Sequence, residues 1–184
     1  IEKYNKDKTV LQRIVQILKR HRDMMFRYDT DDKPISIIIT TLAARAYNGE
    51  KNLLEGLVNV IENMEKSIIK NDKGEDVVPN PVNPEENFAD KWPTHPKRRE
   101  NFYKWLAAVK KDVHEILDGA NRIQIQNTMN RVFGKDLITK ASSLLVERRK
   151  SKLVTGAALL TSAGKVTAST VGRIVNTANT FYGE

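Results

Sequence analysis

Residues 8–28 read KTVLQRIVQILKRHRDMMFRY, and this stretch decides the fold class. Its apolar side chains recur at intervals of three and four residues, which places them on one face of a helix. Helical patterns also run through five later stretches, residues 34–47, 51–70, 96–117, 123–133 and 135–149. The sequence therefore predicts an all-α fold, a multi-helix bundle.

Residues 79–96 and 151–184 break the helical pattern in different ways. The first stretch is a long proline-rich loop, and its Phe88 and Trp92 give it apolar surface to bury, so we expect it to be ordered. The second is rich in Gly, Ala, Ser and Thr, and we expect a flexible or docked tail with Phe181 and Tyr182 as the docking point. The predicted organisation is a helical domain over residues 1–150 and a tail over 151–184.

Composition narrows the class of protein. The formal net charge is +8 and the pI is near 9.6, a balance that favours polyanionic partners. No apolar run approaches the length of a membrane span, and the first residues are too polar for a signal peptide. Cysteine is absent, which excludes disulfides and thiolate catalysis. We therefore expect a cytoplasmic protein with no membrane partner.

Two neighbouring helices carry a candidate phosphate site. On the first helix Arg13 lies seven residues before Arg20, so the two share a face, and Lys19 lies beside it. Lys33 and Ser36 fall in the predicted first turn of the second helix, where backbone N–H groups are unpaired and the helix dipole favours an anion. An amine and a hydroxyl at a helix start suit a phosphate group.

Acidic side chains next to this candidate site argue against phosphate binding there. Asp29, Asp31 and Asp32 precede Lys33 and would repel a phosphate unless a cation intervenes. The alternative is a second helix that is capped by Asp32 and carries a solvated basic face. The Asp29-Thr30-Asp31 stretch lacks the strand and Gly-Ser loop of a metal-dependent phosphoryl-transfer site, and we interpret it as turn and cap chemistry. The three histidines are too dispersed to predict a zinc site.

Two stretches together resemble a known family. One is RIVQILKRHRD at residues 13–23 followed by KPISIIITTL at 33–42, and the other is NPVNPEENFADKW at 80–92. Both look like the helical C-terminal half of bacterial nucleotidyltransferases related to cyclic GMP–AMP synthase and oligoadenylate synthase, the CD-NTases. The second stretch is similar to the Asp-Pro-x-x-Pro-x-x-Asn loop of oligoadenylate synthases. The resemblance implies a bundle like the oligoadenylate synthase C-terminal domain.

The resemblance also implies a function for a parent enzyme. In this family an N-terminal core carries a Gly-Ser loop and three acidic ligands for Mg²⁺ or Mn²⁺, and the helical half grips ATP or GTP. The products are cyclic or linear oligonucleotide second messengers of anti-phage defence. The resemblance places that core ahead of Ile1 as the partner of this chain. We therefore expect the isolated chain to carry no cofactor and to be inactive.

The resemblance assigns roles to individual residues. By position, Arg13 resembles the basic residue that reaches the triphosphate, and Ser36 resembles the serine that contacts phosphate. Lys19 and Lys33 are further candidates for phosphate binding. The residue after the serine is often a tyrosine that stacks on the base, whereas this chain has Ile37.

Two other functions stay open on the sequence. A non-enzymatic helical module would bind RNA or DNA through its positive surface, with an affinity that falls steeply with salt. Its candidate contacts include a basic cluster at the end of the last helix, Arg148, Arg149, Lys150 and Lys152. A structural scaffold would instead use the tail as a docking surface.

Overall fold

A computed structural model describes residues 8–119, 121–154, 158–160 and 166–168. The helices in this part of the chain are α1 (Val10–Met25), α2 (Ser36–Ala46), α3 (Leu53–Asn63), α4 (Pro96–Leu117), α5 (Arg122–Phe133) and α6 (Lys135–Val154), with a single turn of 3-10 helix at Met64–Ser67. The described strands are short: β1 (Ile69–Lys70), β2 (Asp76–Val77), β3 (Ala158–Leu160) and β4 (Val166–Ala168). The predicted all-α bundle is confirmed.

The chain divides into two compact units between Lys135 and Asp136. In the first unit β1 pairs with β2 in antiparallel fashion, and in the second unit β3 pairs with β4 in the same way. Helix α6 runs past residue 150 to Val154, and the predicted division into 1–150 and 151–184 stays a prediction. Most of the predicted tail, including Phe181 and Tyr182, lies outside the described residues.

Helix α1 forms where its sequence predicts and organises the first unit. Thr9 and Gln12 form a reciprocal capping box at its start, with Gln12 N donating to Thr9 Oγ1 and Thr9 N donating to Gln12 Oε1. Ile14 and Leu18, at the centre of its apolar stripe, are fully buried. Helices α2, α3 and α4 pack around that stripe and around each other. The core therefore lies among these four helices, and its largest buried side chains are Trp105 and Phe102.

Helix α2 begins two residues later than its sequence suggests, and the predicted cap is wrong. The helix starts at Ser36 after Ile35, and no side chain caps it. Asp32 is engaged elsewhere: its carboxylate lies 3.4 Å from Arg98 Nε, and its carbonyl accepts a hydrogen bond from Asn101 Nδ2. Both partners lie on α4, more than sixty residues along the chain, so this tertiary contact overrides the local capping preference.

The proline-rich loop is ordered, as its aromatic side chains predict. Asn87 Oδ1 accepts hydrogen bonds from Val78 N at 2.9 Å and from Ala89 N at 2.8 Å, which closes the loop at its base. Trp92 is buried and packs against Phe102 of α4, with ring centroids 5.3 Å apart. These contacts hold the loop next to the start of α2.

Candidate anion-binding site

Arg22 connects α1 to the first residues of α2. Its Nη1 donates to Pro34 O and to Ser36 Oγ, both at 2.9 Å, while the side chain is only 7% exposed. A buried guanidinium has to be paired, since an isolated charge is costly away from water. Ser36 Oγ accepts this bond, so its own proton remains available to donate to a ligand.

Asp23 and two lysines complete the surroundings of Arg22. Asp23 Oδ1 accepts from Arg22 Nε at 3.0 Å and lies 2.8 Å from Nη2, and Lys33 Nζ lies 3.5 Å from the same oxygen. Lys19 precedes Asp23 by four residues on α1, which places it on the same side of that helix. Ser36 and Lys33, two of the residues that the sequence singles out, thus contact the Arg22–Asp23 pair, and Lys19 lies on the side of α1 that carries Asp23.

The first turn of α2 supplies backbone donors at this point. No side chain caps the helix, so the N–H groups of Ser36, Ile37 and Ile38 have neither an intrahelical nor a side-chain cap partner. The helix dipole adds partial positive charge at the same end. Backbone donors and the Ser36 hydroxyl therefore lie together at the start of α2, an arrangement whose chemistry suits a phosphate group.

The acidic cluster next to this surface is partly compensated by α4. Lys97 Nζ lies 3.4 Å from Asp29 and 3.5 Å from Asp32, and Arg98 Nε lies 3.4 Å from Asp32. The negative charge of Asp29 and the hydrogen bonds to both carboxylates raise the pKa of the Lys97 amine. Cations of α4 thus neutralise Asp29 and Asp32, whereas Asp31 has no ion-pair partner among the described residues.

Arg13 lies on the side of α1 that faces away from Ser36. Arg13 and Arg22 are nine residues apart on α1, which is two and a half turns and about 13.5 Å, so they lie on opposite sides of the helix. Because Arg22 is the residue that contacts Ser36, Arg13 is directed away from it. A role for Arg13 in phosphate binding stays a prediction, but the helix geometry does not support a joint grip with Ser36.

The position of Arg22 in the sequence indicates that it is buried, although its residue type suggests an exposed side chain. Arg22 follows Leu18 by four residues, which puts it on the buried stripe of α1 rather than on the basic face. An arginine at a core position of an amphipathic helix indicates a fixed partner. Only the fold reveals that this partner is the start of α2.

A small pocket adjoins the candidate site on the side of the proline-rich loop. It lies between the start of α2, the end of the loop and the first turn of α4, and it combines an apolar floor with a charged rim. Its lining residues are Lys33, Pro34, Ile35, Ile38, Phe88, Asp90, Lys91, Trp92 and Arg98. The two stretches that carry the family resemblance therefore meet at one place in the fold.

A buried network fixes α1 against α4 and α5. His21, the residue before Arg22, lies with Nε2 3.0 Å from Asp112 Oδ2, and Arg131 Nη2 donates to Asp112 Oδ1 at 2.8 Å. Burial lowers the pKa of His21 below 6.5, although its bond to Asp112 opposes that effect. The His21–Asp112 contact therefore holds the helix segment that carries Arg22.

A second buried carboxylate ties β2 to α4. The Asp76 side chain is 1% exposed and accepts from Arg99 Nε at 2.5 Å and from Tyr103 Oη at 3.2 Å, with Lys70 also in contact. Burial alone would raise the pKa of Asp76, but the hydrogen bonds from Lys70 and Arg99 outweigh it and lower that pKa. Burial and the Asp76 charge raise the pKa of Tyr103 to about 12.

The described part of the chain offers no metal centre. No three Asp, Glu or His side chains within it are close enough together to hold a metal ion. The residues present therefore do not fit Mg²⁺ or Mn²⁺, and no chemical step through a metal follows from them. Within the same residues, no helix combines the length and apolar composition needed to cross a bilayer.

Comparison with known proteins points to one class. No family model matches the chain. It is 31% identical over 187 residues to a c-di-GMP synthase of Roseivirga ehrenbergii, across all of this chain and 49% of that protein. It is also 24% identical over 144 residues to the cyclic dinucleotide synthase CdnG of Bradyrhizobium diazoefficiens, across 77% of this chain and 35% of CdnG.

The fold agrees with these sequence comparisons. The solved structure of the B. diazoefficiens CD-NTase CdnG in complex with GTP matches with a TM-score of 0.59 at 24% identity, over 76% of this chain and 40% of that one. The resemblance to the bacterial CD-NTases is thus confirmed by the named relatives. In particular, the chain is similar in sequence to two cyclic dinucleotide synthases, and it spans 49% of the length of the c-di-GMP synthase and 35% of the length of CdnG.

Proposed function

We propose that this chain is the nucleotide-positioning part of a CD-NTase that makes a cyclic dinucleotide for anti-phage defence. The observation that carries the proposal is the Arg22–Ser36 contact, which orients a hydroxyl at the uncapped start of α2. The GTP named with the CdnG structure supports a nucleoside triphosphate as the ligand.

Each residue around the site has a separate task in this proposal. Ser36 donates its hydroxyl proton and backbone N–H to phosphate oxygens, and Lys33 and Lys19 add positive charge near them. Arg22 is a positioning residue, because its donors are mostly used by Pro34, Ser36 and Asp23. This division predicts that Ser36 affects affinity directly and that Arg22 acts by holding Ser36 in place.

The rest of a parent enzyme supplies the chemistry in this proposal. In-line phosphoryl transfer uses metal ions that bridge phosphate oxygens and neutralise the developing charge. Their carboxylate ligands would come from outside this chain, which also accounts for relatives of about twice its length. We therefore predict that the 184-residue chain with Mg²⁺, ATP and GTP forms no cyclic dinucleotide, as measured by chromatography of the products.

Calorimetric titration with GTP tests the site itself. Ser36→Ala removes a hydrogen bond to a charged oxygen, so we expect about a tenfold loss of affinity, from about 1.5 kcal/mol. Lys33→Gln should lower the affinity for GTP a few-fold at low salt, and this loss should become smaller as the salt concentration rises. Arg13→Gln, which removes one positive charge on the far side of α1, is the matched control for Lys33→Gln.

The same titration has a clear contradicting result. If Arg13→Gln weakens GTP binding while Ser36→Ala and Lys33→Gln leave it unchanged, the site is not at the start of α2. Circular dichroism of each variant separates loss of binding from loss of fold. The result does not depend on the catalytic core, because only binding is measured.

A further inference from the structure

Three arginines form a basic stripe on the outside of α1 and the turn after it. Arg13, Arg20 and Arg27 follow one another at intervals of seven residues, and all three are exposed. Seven residues make nearly two helical turns, so Arg13 and Arg20 are about 10.5 Å apart along α1. Arg27 follows in the turn after the helix ends at Met25. We call these three residues the arginine stripe. Arg13 and Ser36 lie on opposite sides of α1, so the stripe is distinct from the proposed nucleotide site.

Within the part of the chain that the structure describes, the guanidinium groups of the arginine stripe have no carboxylate partner. Among the described residues, no carboxylate lies within 4.0 Å of Arg13, Arg20 or Arg27, and the nearest acid along α1, Asp23, is already paired with Arg22. Arg20 is held in place because its Nε donates to the carbonyl of Phe133 at 3.0 Å. The stripe thus presents fixed positive charge that an anion can neutralise.

An exposed aromatic ring ends the arginine stripe. Tyr28 is 88% exposed, and the Arg27 guanidinium lies over its ring, 4.5 Å from the centroid. Proteins that bind single strands combine a basic track for the phosphates with aromatic rings on which bases stack.

We propose that the arginine stripe and Tyr28 bind a single-stranded nucleic acid. Charge favours a polyanion, and the exposed ring favours unpaired bases over a duplex, whose bases are already stacked. An anionic membrane suits the site less well, because the apolar face of α1, with Ile14 and Leu18, is buried in the core and has nothing to insert into lipid. This activity goes beyond the proposed nucleotide site and does not depend on it.

Fluorescence anisotropy with a labelled twelve-nucleotide oligothymidine tests the proposal on the 184-residue chain. Three phosphate contacts give a slope of about −2 in log affinity against log salt, or roughly a twentyfold loss between 50 and 200 mM KCl. The triple variant Arg13→Gln, Arg20→Gln, Arg27→Gln should lose that part of the slope. The double variant Arg13→Gln, Arg27→Gln keeps the Arg20–Phe133 bond. It should lose about two thirds of the salt slope that the three arginines contribute.

A charge-matched control separates the stripe from general positive charge. Lys51, Lys73 and Lys104 are exposed elsewhere on the first unit, and changing all three to glutamine removes the same three charges. This control should keep most of the affinity, whereas an equal loss in both triple variants would overturn the proposal.

Tyr28→Leu tests for recognition of unpaired bases. Loss of one stacked base should weaken oligothymidine binding by about fivefold or more and leave duplex binding unchanged. Equal affinity for a duplex of the same length with no effect of Tyr28→Leu would refute single-strand recognition. Binding to phosphatidylserine vesicles without any binding to the oligonucleotide would also refute the proposal.

Discussion

Replacing Arg22 by methionine would remove the contact that ties α1 to the start of α2. Methionine keeps much of the apolar stem, so the change mainly deletes hydrogen bonds. The bond to Pro34 O is buried, and leaving that carbonyl unpaired costs about 1.5–3 kcal/mol. The half-exposed pair with Asp23 adds about 0.2–1 kcal/mol, while water can replace the partly buried bond to Ser36, whose side chain is exposed. We therefore expect a loss of about 2–4 kcal/mol in the free energy of unfolding.

Urea denaturation measures this loss. Trp92 and Trp105 are both buried, so their fluorescence reports the unfolding of the first unit. For a chain of this size the melting temperature should also fall by roughly 5–15 °C. Arg13→Met is the control on the exposed side of the same helix and should cost less than about 0.5 kcal/mol. If both variants are equally stable, the Arg22 contact does not organise the start of α2.

Three further predictions concern the contacts that hold the site's surroundings. Because burial lowers the pKa of His21, the folded state binds fewer protons than the unfolded one, and the free energy of unfolding should fall below pH 6.5, by at most about 1.4 kcal/mol per pH unit. Asp76→Asn weakens the contacts with Lys70 and Arg99 and should cost about 2–3 kcal/mol in urea denaturation. Asn87→Ala deletes two bonds at the base of the proline-rich loop and should lower the urea midpoint by the equivalent of about 1–3 kcal/mol.

Each of these predictions has its own control. A His21→Gln variant should lose the pH dependence between 5 and 6.5, and an unchanged pH profile would show that another group titrates there. Asp90→Asn breaks an exposed pair with Lys91 and should cost almost nothing. Asn83→Ala is the control within the proline-rich loop. If it destabilises the chain as much as Asn87→Ala does, the two bonds to Asn87 do not hold the base of the loop.

The sequence predicts the helices well because their apolar periodicity is a local property. Ile14 and Leu18 recur on one face of α1, and that face is the one that the fold buries. The start of α2 was misplaced because Asp32, a good local cap, is drawn away by Arg98 and Asn101 of α4. No local rule contains that long-range contact.

The sequence predicts the candidate site only in part, because it does not show which side of α1 faces the start of α2. Ser36 and Lys33 contact the Arg22–Asp23 pair, but Arg13 lies on the side of α1 opposite to Arg22. Arg22 was overlooked because it sits among other basic residues, although its position four residues after Leu18 marks it as buried. The cations that compensate Asp29 and Asp32 come from α4, and only the tertiary fold could show them.

A chemical-shift titration of the ¹⁵N-labelled chain with GTP tests the central claim most directly, since it locates the ligand residue by residue. The account predicts that the largest shifts fall on the amides of Ser36, Ile37 and Ile38, with the Arg22 Nε–H signal moving alongside and the Arg13 amide unchanged. Saturable shifts that centre on Arg13 and leave the first turn of α2 unmoved would contradict it.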